Sequence, residues 1–196
     1  MAEIWKLYDR MVKWFDETRS KDLMENEYLQ LITDHIPKKG KVLDIGCGTA
    51  EPIAAYFINR GFHLTGLDGS TEMIALCKKR FPEMEWVVSD MKDINLDRKF
   101  HAIIAWDSLF HLNHNDQVKM FPIFEHHLHQ DGLLLYTSGS KRGEELSRMN
   151  GQDFYHASLG IDEYKALLEE NGFDIILNRI EDPNCGQHTV WLVKKR

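Results

Sequence analysis

The chain is short of cysteine and of positive charge, and it has no long apolar run. Cys47, Cys77 and Cys185 are odd in number and form no CxxC pair, which fits a reducing compartment better than a disulfide framework. No apolar stretch is long enough to span a bilayer, and no basic start leads into an apolar segment. The expectation is therefore a cytoplasmic protein with no membrane partner. Lys and Arg number 24 against 31 Asp and Glu, for a net charge of −7. A surface of that sign disfavours a dominant contact with a phosphate backbone, so no nucleic-acid partner is expected. The longest basic runs, Lys78-Lys79-Arg80 and Lys194-Lys195-Arg196, suit helix-end and tail positions.

What is present is a chain of 196 residues, 43% hydrophobic and 28% charged, without repeats or low-complexity segments. That is enough to bury one sizeable core, so residues 1–196 are expected to form a single domain. The organising stretch is K-V-L-D-I-G-C-G-T-A-E-P, from Lys41 to Pro52. Val42, Leu43 and Ile45 make an apolar run too short for a helix and suited to a buried strand. Gly46 and Gly48 follow directly, and Thr49 with Glu51-Pro52 reads as the opening of a helix. A strand that turns through glycines into a helix presents bare backbone N–H groups to a ligand. Asp44 beside that turn would repel a pyrophosphate and attract an ammonium group. The pattern suits a nucleoside carrying positive charge.

These residues resemble motif I of the class I S-adenosylmethionine-dependent methyltransferases, with Asp44, Gly46 and Gly48 in place and Ala50 where that family often keeps a third glycine. The resemblance extends over residues 40–196 and implies an α/β, Rossmann-like, doubly wound seven-stranded sheet with a C-terminal antiparallel hairpin. It implies S-adenosylmethionine as the cofactor.

The remaining chain is placed on that frame. Residues 3–15 and 21–36 read as two helices, which make residues 1–39 a helical cap on the core. In the family such a segment often covers the cofactor, which would put Tyr8 and Trp14 in the pocket; equally, both would pack the helix onto the sheet. Helices are expected at 50–60 and 71–80, with strands at 62–67 and 84–89. Asp68-Gly69, 20 residues beyond Gly48, suits a ribose ligand, and Met73 on the following helix would touch the adenine. Asp90 and Met91 resemble the family's acidic and apolar pair at the adenine, or form a simple turn.

A fourth strand, 100–106, runs into Trp106-Asp107-Ser108-Leu109-Phe110-His111, which should face the transferred methyl group at the point where strand order reverses. It lacks the amino-methylase sequence N/D-P-P-Y/F, which leans the acceptor toward a small-molecule substrate. His111 is the candidate general base, or else bonds a backbone group and shapes the site. Asp107 is a candidate second proton acceptor or cofactor contact, and Trp106 a cofactor contact.

Helix 116–129 should kink at Pro122 or split in two. Glu125, His126, His127 and His129 lack the spacing of a compact zinc motif, so they are read as a solvated face and no metal is expected. After strand 133–138, residues 139–160 read as an irregular loop with one short helix near Glu144–Met149. Arg142, Arg148, Tyr155 and His156 on that loop are substrate-contact candidates, unless the loop is simply solvated. Helix 162–171 and the hairpin of 173–180 with 188–193 close the chain.

Two other readings stand beside this one. A nicotinamide-dependent oxidoreductase shares the strand–glycine–helix unit, although Glu51 occupies the third glycine position of G-x-G-x-x-G. A non-catalytic S-adenosylmethionine-binding module would show the same cofactor residues.

Overall fold

The computed structural model describes residues 4–196. Short helices α1 (Trp5–Asp9) and α2 (Val12–Thr18) and the longer α3 (Asn26–His35) precede the first strand. Strands β1 (Lys41–Ile45), β2 (His63–Asp68) and β3 (Glu85–Val88) alternate with helices α4 (Ile53–Asn59) and α5 (Thr71–Arg80). Strand β4 (Phe100–Ala105) leads through helix α6 (His114–His127) into β5 (Leu128–Ser138). Then come β6 (Gly143–Met149), β7 (Gln152–Ser158), helix α7 (Ile161–Glu170), β8 (Phe173–Asp182) and β9 (His188–Lys195).

Seven strands form one sheet in the order β3-β2-β1-β4-β5-β9-β8. Pairing is parallel from β3 to β5, while β9 runs antiparallel to both β5 and β8. This is the expected doubly wound sheet with its closing hairpin. Alternate side chains of β1 enter opposite cores. Val42 packs with Leu29, Ile32 and Phe57 on the face of α3 and α4, and Leu43 and Ile45 pack with Phe121, Phe124 and Leu168 on the face of α6 and α7. Burial on both faces explains why the strand reads as a continuous apolar run.

Several expectations need correction, beginning with the helix expected over 21–36, which forms only over Asn26–His35. Residues 3–15 do not make one helix: Met11, at φ −128° and ψ 14°, separates α1 from α2, and residue 3 lies outside the described residues. The helix expected from residue 50 begins at Ile53, because Ala50 takes the left-handed conformation at φ 67° and still belongs to the turn. Of the two outcomes expected at Pro122, the split into two pieces does not occur, since α6 is one helix from His114 to His127. An interior proline costs a helix roughly 3 kcal/mol, and burial of Met120, Phe121 and Phe124 around it outweighs that cost. The expected solvated histidine face is also partly wrong. His127 is buried, donating from Nδ1 to the Ile123 carbonyl (2.8 Å) and accepting the Leu96 N–H at Nε2 (3.0 Å).

The largest correction is at residues 139–160, which contain no helix. They form a separate two-stranded antiparallel sheet, β6 with β7. Its turn is Asn150-Gly151, with φ 47° and 74°. Asn-Gly with both residues at positive φ is the preferred two-residue hairpin turn, and it stands in the sequence. What hid the hairpin is the weak apolar alternation of Glu144-Glu145-Leu146-Ser147-Arg148.

Gly66, in the middle of β2, is paired with Trp86 on β3, and a Cβ there would meet the indole at 2.2 Å. Gly66→Ala is expected to destabilise the fold by about 1–3 kcal/mol, read as a lower urea midpoint. An unchanged midpoint would contradict this packing.

Candidate functional site

A cavity of about 450 Å³ lies over the carboxyl ends of β1, β2 and β4, where the strand order reverses. The β1–α4 turn forms its floor. The Gly46 and Cys47 N–H groups donate to the Leu67 carbonyl (2.7 and 3.0 Å), which fastens the turn to the end of β2. Gly46 stands at φ 77°, and a Cβ there would lie 2.4 Å from the Ser108 Cβ. Ser108 in turn donates to the Ile45 carbonyl (2.8 Å). Only glycine lets the β1 turn and the segment after β4 approach this closely.

Three carboxylates follow one another along the cavity. Asp44 is 3% exposed, and burial first, then the neighbouring Asp68, pushes its carboxyl up to about 7. Asp68 accepts the Gly48 N–H (3.0 Å) and the Ser70 N–H (2.8 Å). Burial still holds its carboxyl above the ordinary value against those hydrogen bonds. Asp90 accepts the Lys92 N–H (3.0 Å) and pairs with its ammonium (3.4 Å). Gly69, Met73 and Met91 also line the cavity.

The segment after β4 supplies a second cluster. Asp107, at φ 49°, pairs with His188 across 2.9 Å, and His188 Nδ1 donates to the Cys185 carbonyl (2.7 Å). Both imidazole nitrogens thus face acceptors, and the Asp107 hydrogen bond raises the His188 pKa despite burial. The ring of His188 lies 5.4 Å from that of Trp106, whose buried Nε1 has no protein acceptor. His111 differs. Its Nδ1 lies 3.1 Å from the Tyr155 carbonyl, which can only accept, so that nitrogen carries the proton. Nε2 is then the acceptor for the Tyr8 hydroxyl at 3.0 Å. Burial pushes the His111 pKa down to about 4.

The N-terminal helices close the cavity. Tyr8 reaches His111 from α1, and Asp9 accepts from the Ser70 hydroxyl (2.6 Å) and the Glu72 N–H (3.1 Å) at the start of α5. Asp16 on α2 takes a two-pronged contact from Arg80 (2.7 and 2.5 Å). The β6–β7 hairpin forms the other wall, through Ser147, Met149, Tyr155 and His156.

Of the residues singled out in the sequence, Tyr8, Asp44, Gly46, Gly48, Asp68, Gly69, Met73, Asp90, Met91, Trp106, Asp107 and His111 all line this one cavity. Trp14 does not; Phe15 does. Met11 separates the helix of Tyr8 from that of Trp14 and Phe15, and across this break it is the Phe15 ring that comes within 5.6 Å of the Tyr8 ring. Tyr155 and His156 reach the cavity, but Arg142 is held by Glu163 (2.5 Å) and Arg148 does not line it. Sequence reasoning missed Trp5, Arg19, Lys92 and His188. His188 had no local signal, since only the closing hairpin carries it to Asp107.

The family model for a methyltransferase domain matches residues 42–132. The chain is 30% identical over 136 residues to the candidate methyltransferase YqeM of Bacillus subtilis, covering 66% of this chain and 54% of that protein. It is 30% identical over 114 residues to dTDP-3-amino-3,6-dideoxy-alpha-D-glucopyranose N,N-dimethyltransferase of Streptomyces fradiae, covering 57% and 43%. The chain thus spans about half the length of these two relatives. Among solved structures, the amino pentose methyltransferase CalS10 of Micromonospora echinaspora, with S-adenosylmethionine bound, superposes with a TM-score of 0.72 at 16% identity, covering 100% of this chain and 98% of that one. At that identity the likeness is one of fold.

The Asp107–His188 pair makes stability depend on pH. The folded imidazole has its pKa raised above the ordinary 6.5, so the stabilisation is fully present below that value and fades as pH rises through the folded pKa. The stability difference between wild type and His188→Gln, from urea midpoints, should therefore shrink as pH climbs from 6 to about 9. A difference that grows with pH would contradict the pairing.

Proposed function

We propose that this chain, a member of the class I S-adenosylmethionine-dependent methyltransferase family, transfers the methyl group of S-adenosylmethionine to a small-molecule acceptor held in the cavity over β1 and β4. One observation carries the reading: Asp44, Asp68 and Asp90, at or just beyond the ends of three successive neighbouring strands, line a single cavity beside the glycine turn. Asp44, with Arg19 and the unpartnered Trp106 Nε1 nearby, suits the methionine end, where an arriving ammonium would draw the Asp44 proton off. Asp68 suits the ribose hydroxyls, exchanging backbone donors for them. Asp90, Met91 and Met73 suit the adenine.

The cofactor supplies an electrophilic methyl group on a sulfonium; the chain's work is to hold the acceptor in line with it and exclude water. Orientation of this kind supplies much of a transfer rate. His111 and Asp107 border the reacting end. Both nitrogens of His111 are engaged and its basicity is low, which favours a positioning role for it over that of general base. Its bond to Tyr8 ties the acceptor side to the N-terminal helices. The sugar acted on by the Streptomyces fradiae relative, as its name states, supports a small-molecule acceptor.

The nicotinamide reading is not favoured. The buried Asp44 lies where a pyrophosphate would approach, and Glu51 is taken up by Lys21 (2.6 Å) and Arg80 (3.5 Å). A non-catalytic module would bind cofactor without forming S-adenosylhomocysteine in the presence of any acceptor.

Asp68→Ala tests the assignment. Loss of both ribose contacts should weaken S-adenosylmethionine binding at least about tenfold, on the order of 1.4 kcal/mol, measured by equilibrium dialysis on variants of unchanged urea midpoint. Wild-type affinity in the variant would remove Asp68 from the cofactor site.

A further inference from the structure

Asp107, just beyond the end of β4, is fixed in the cavity wall by groups from two other strands. Ile104 pairs in register with Asp44 of β1, and Asp107 follows it at the rim of the cleft between those strands. Its backbone stands at φ 49°, a conformation uncommon outside glycine. The Asp107 N–H donates to the Thr137 hydroxyl oxygen (2.9 Å), and that hydroxyl donates back to Oδ1 (3.3 Å). Oδ1 also accepts from Nε2 of His188 (2.9 Å), while Nδ1 of the same ring donates to the Cys185 carbonyl (2.7 Å). Thr137 is buried on β5, and His188 opens the neighbouring β9. Both donors reach the same oxygen, so the carboxylate cannot turn without losing them.

The second oxygen is free. Among the described residues no group donates to Oδ2, although Asp107 lines the cavity and its side chain is 21% exposed. Besides His188, the titratable groups whose charge Asp107 influences are Tyr8 on α1, Glu25 ahead of α3, His111, His156 on β7 and Cys185 in the closing turn. Tyr8 is bonded to His111 (3.0 Å), and His156 stands 4.0 Å from Glu145 on the hairpin. A carboxylate locked through one oxygen and open at the other is built to accept a hydrogen bond from a ligand in a set direction.

Resting on the methyltransferase reading, we propose that Oδ2 of Asp107 accepts the hydrogen borne by the acceptor's attacking nitrogen or oxygen and so aims its lone pair at the methyl carbon, with His188 and Thr137 as the residues that position Asp107. The lone pair forms the bond to the methyl carbon as the carbon–sulfur bond breaks, and that bond's electron pair passes to sulfur. The hydrogen stays bonded toward Oδ2 while positive charge builds on the attacking atom, then leaves as a proton to water. A fixed carboxylate beside that atom offsets the developing charge without having to reorganise. His188 serves this role from the far end of the sequence: its two N–H groups tie the closing hairpin to Asp107.

The test needs no acceptor. Sinefungin carries an amine where the cofactor carries its methyl group, and S-adenosylhomocysteine carries nothing there; the rest of the two molecules is shared. Calorimetry on the full-length protein gives the ratio of their dissociation constants. Asp107→Asn should weaken sinefungin at least about tenfold, the loss of one charge-assisted hydrogen bond, while S-adenosylhomocysteine stays within about threefold. His188→Leu should lower the wild-type preference for sinefungin in the same sense, and His188→Gln, which keeps an N–H donor, should restore part of it. A ratio unchanged in Asp107→Asn would overturn the proposal, whether both ligands still bind or both are lost. So would a larger change in His156→Gln than in Asp107→Asn. An unchanged ratio in His188→Leu would remove His188 from its positioning role. Failure of the wild type to bind S-adenosylhomocysteine would instead count against the methyltransferase reading.

Discussion

The structure depends on the way β1 and β4 part. They lie side by side in one sheet, yet the chain leaving β1 enters α4 on one face and the chain leaving β4 enters α6 on the other. A cleft has to open between the two departures, as in other sheets of this winding. Gly46 and Ser108 meet at its base, so close that a Cβ on Gly46 has no room. Asp44 ends β1, Asp68 ends β2, and Asp107 follows β4, each buried or half-buried against a rigid strand.

Strand ends place the carboxylates, but they do not enclose the ligand. Enclosure comes from two less deeply packed pieces, α1–α2 and the β6–β7 hairpin. Neither α1 nor α2 has a fully buried residue, and they are held mainly by Asp9 on α5, Asp16 on Arg80, and Tyr8 on His111. Contacts of this polar kind open locally at far lower free energy than the central strands do. A cavity so covered can admit a ligand without disturbing the sheet.

Much of this was legible in the sequence because it is local. The apolar runs of β1 and β4, the glycine turn and the carboxylate at each strand end lie within a few residues of one another. The closing hairpin also announced itself, with long apolar strands around a polar turn. Other features were hidden for physical reasons. The β6–β7 hairpin is exposed on one side and lacks apolar alternation, so only Asn150-Gly151 signalled it. The break at Met11 and the left-handed Ala50 follow from tertiary contacts that override helix propensity. Phe15 in place of Trp14 follows from the same break at Met11, which resets the phase of α2 against α1. His188 reaches Asp107 only through the long-range pairing of β9 with β5 and β8.

The central claim is that an acid-lined cleft, built at the parting of β1 and β4, holds a positively charged nucleoside and not a pyrophosphate. The direct measurement is calorimetric titration of the wild-type protein with S-adenosylmethionine and, separately, with NADH. Saturable one-to-one binding of S-adenosylmethionine with no heat from NADH is the predicted result. Saturable binding of NADH without binding of S-adenosylmethionine would contradict the account.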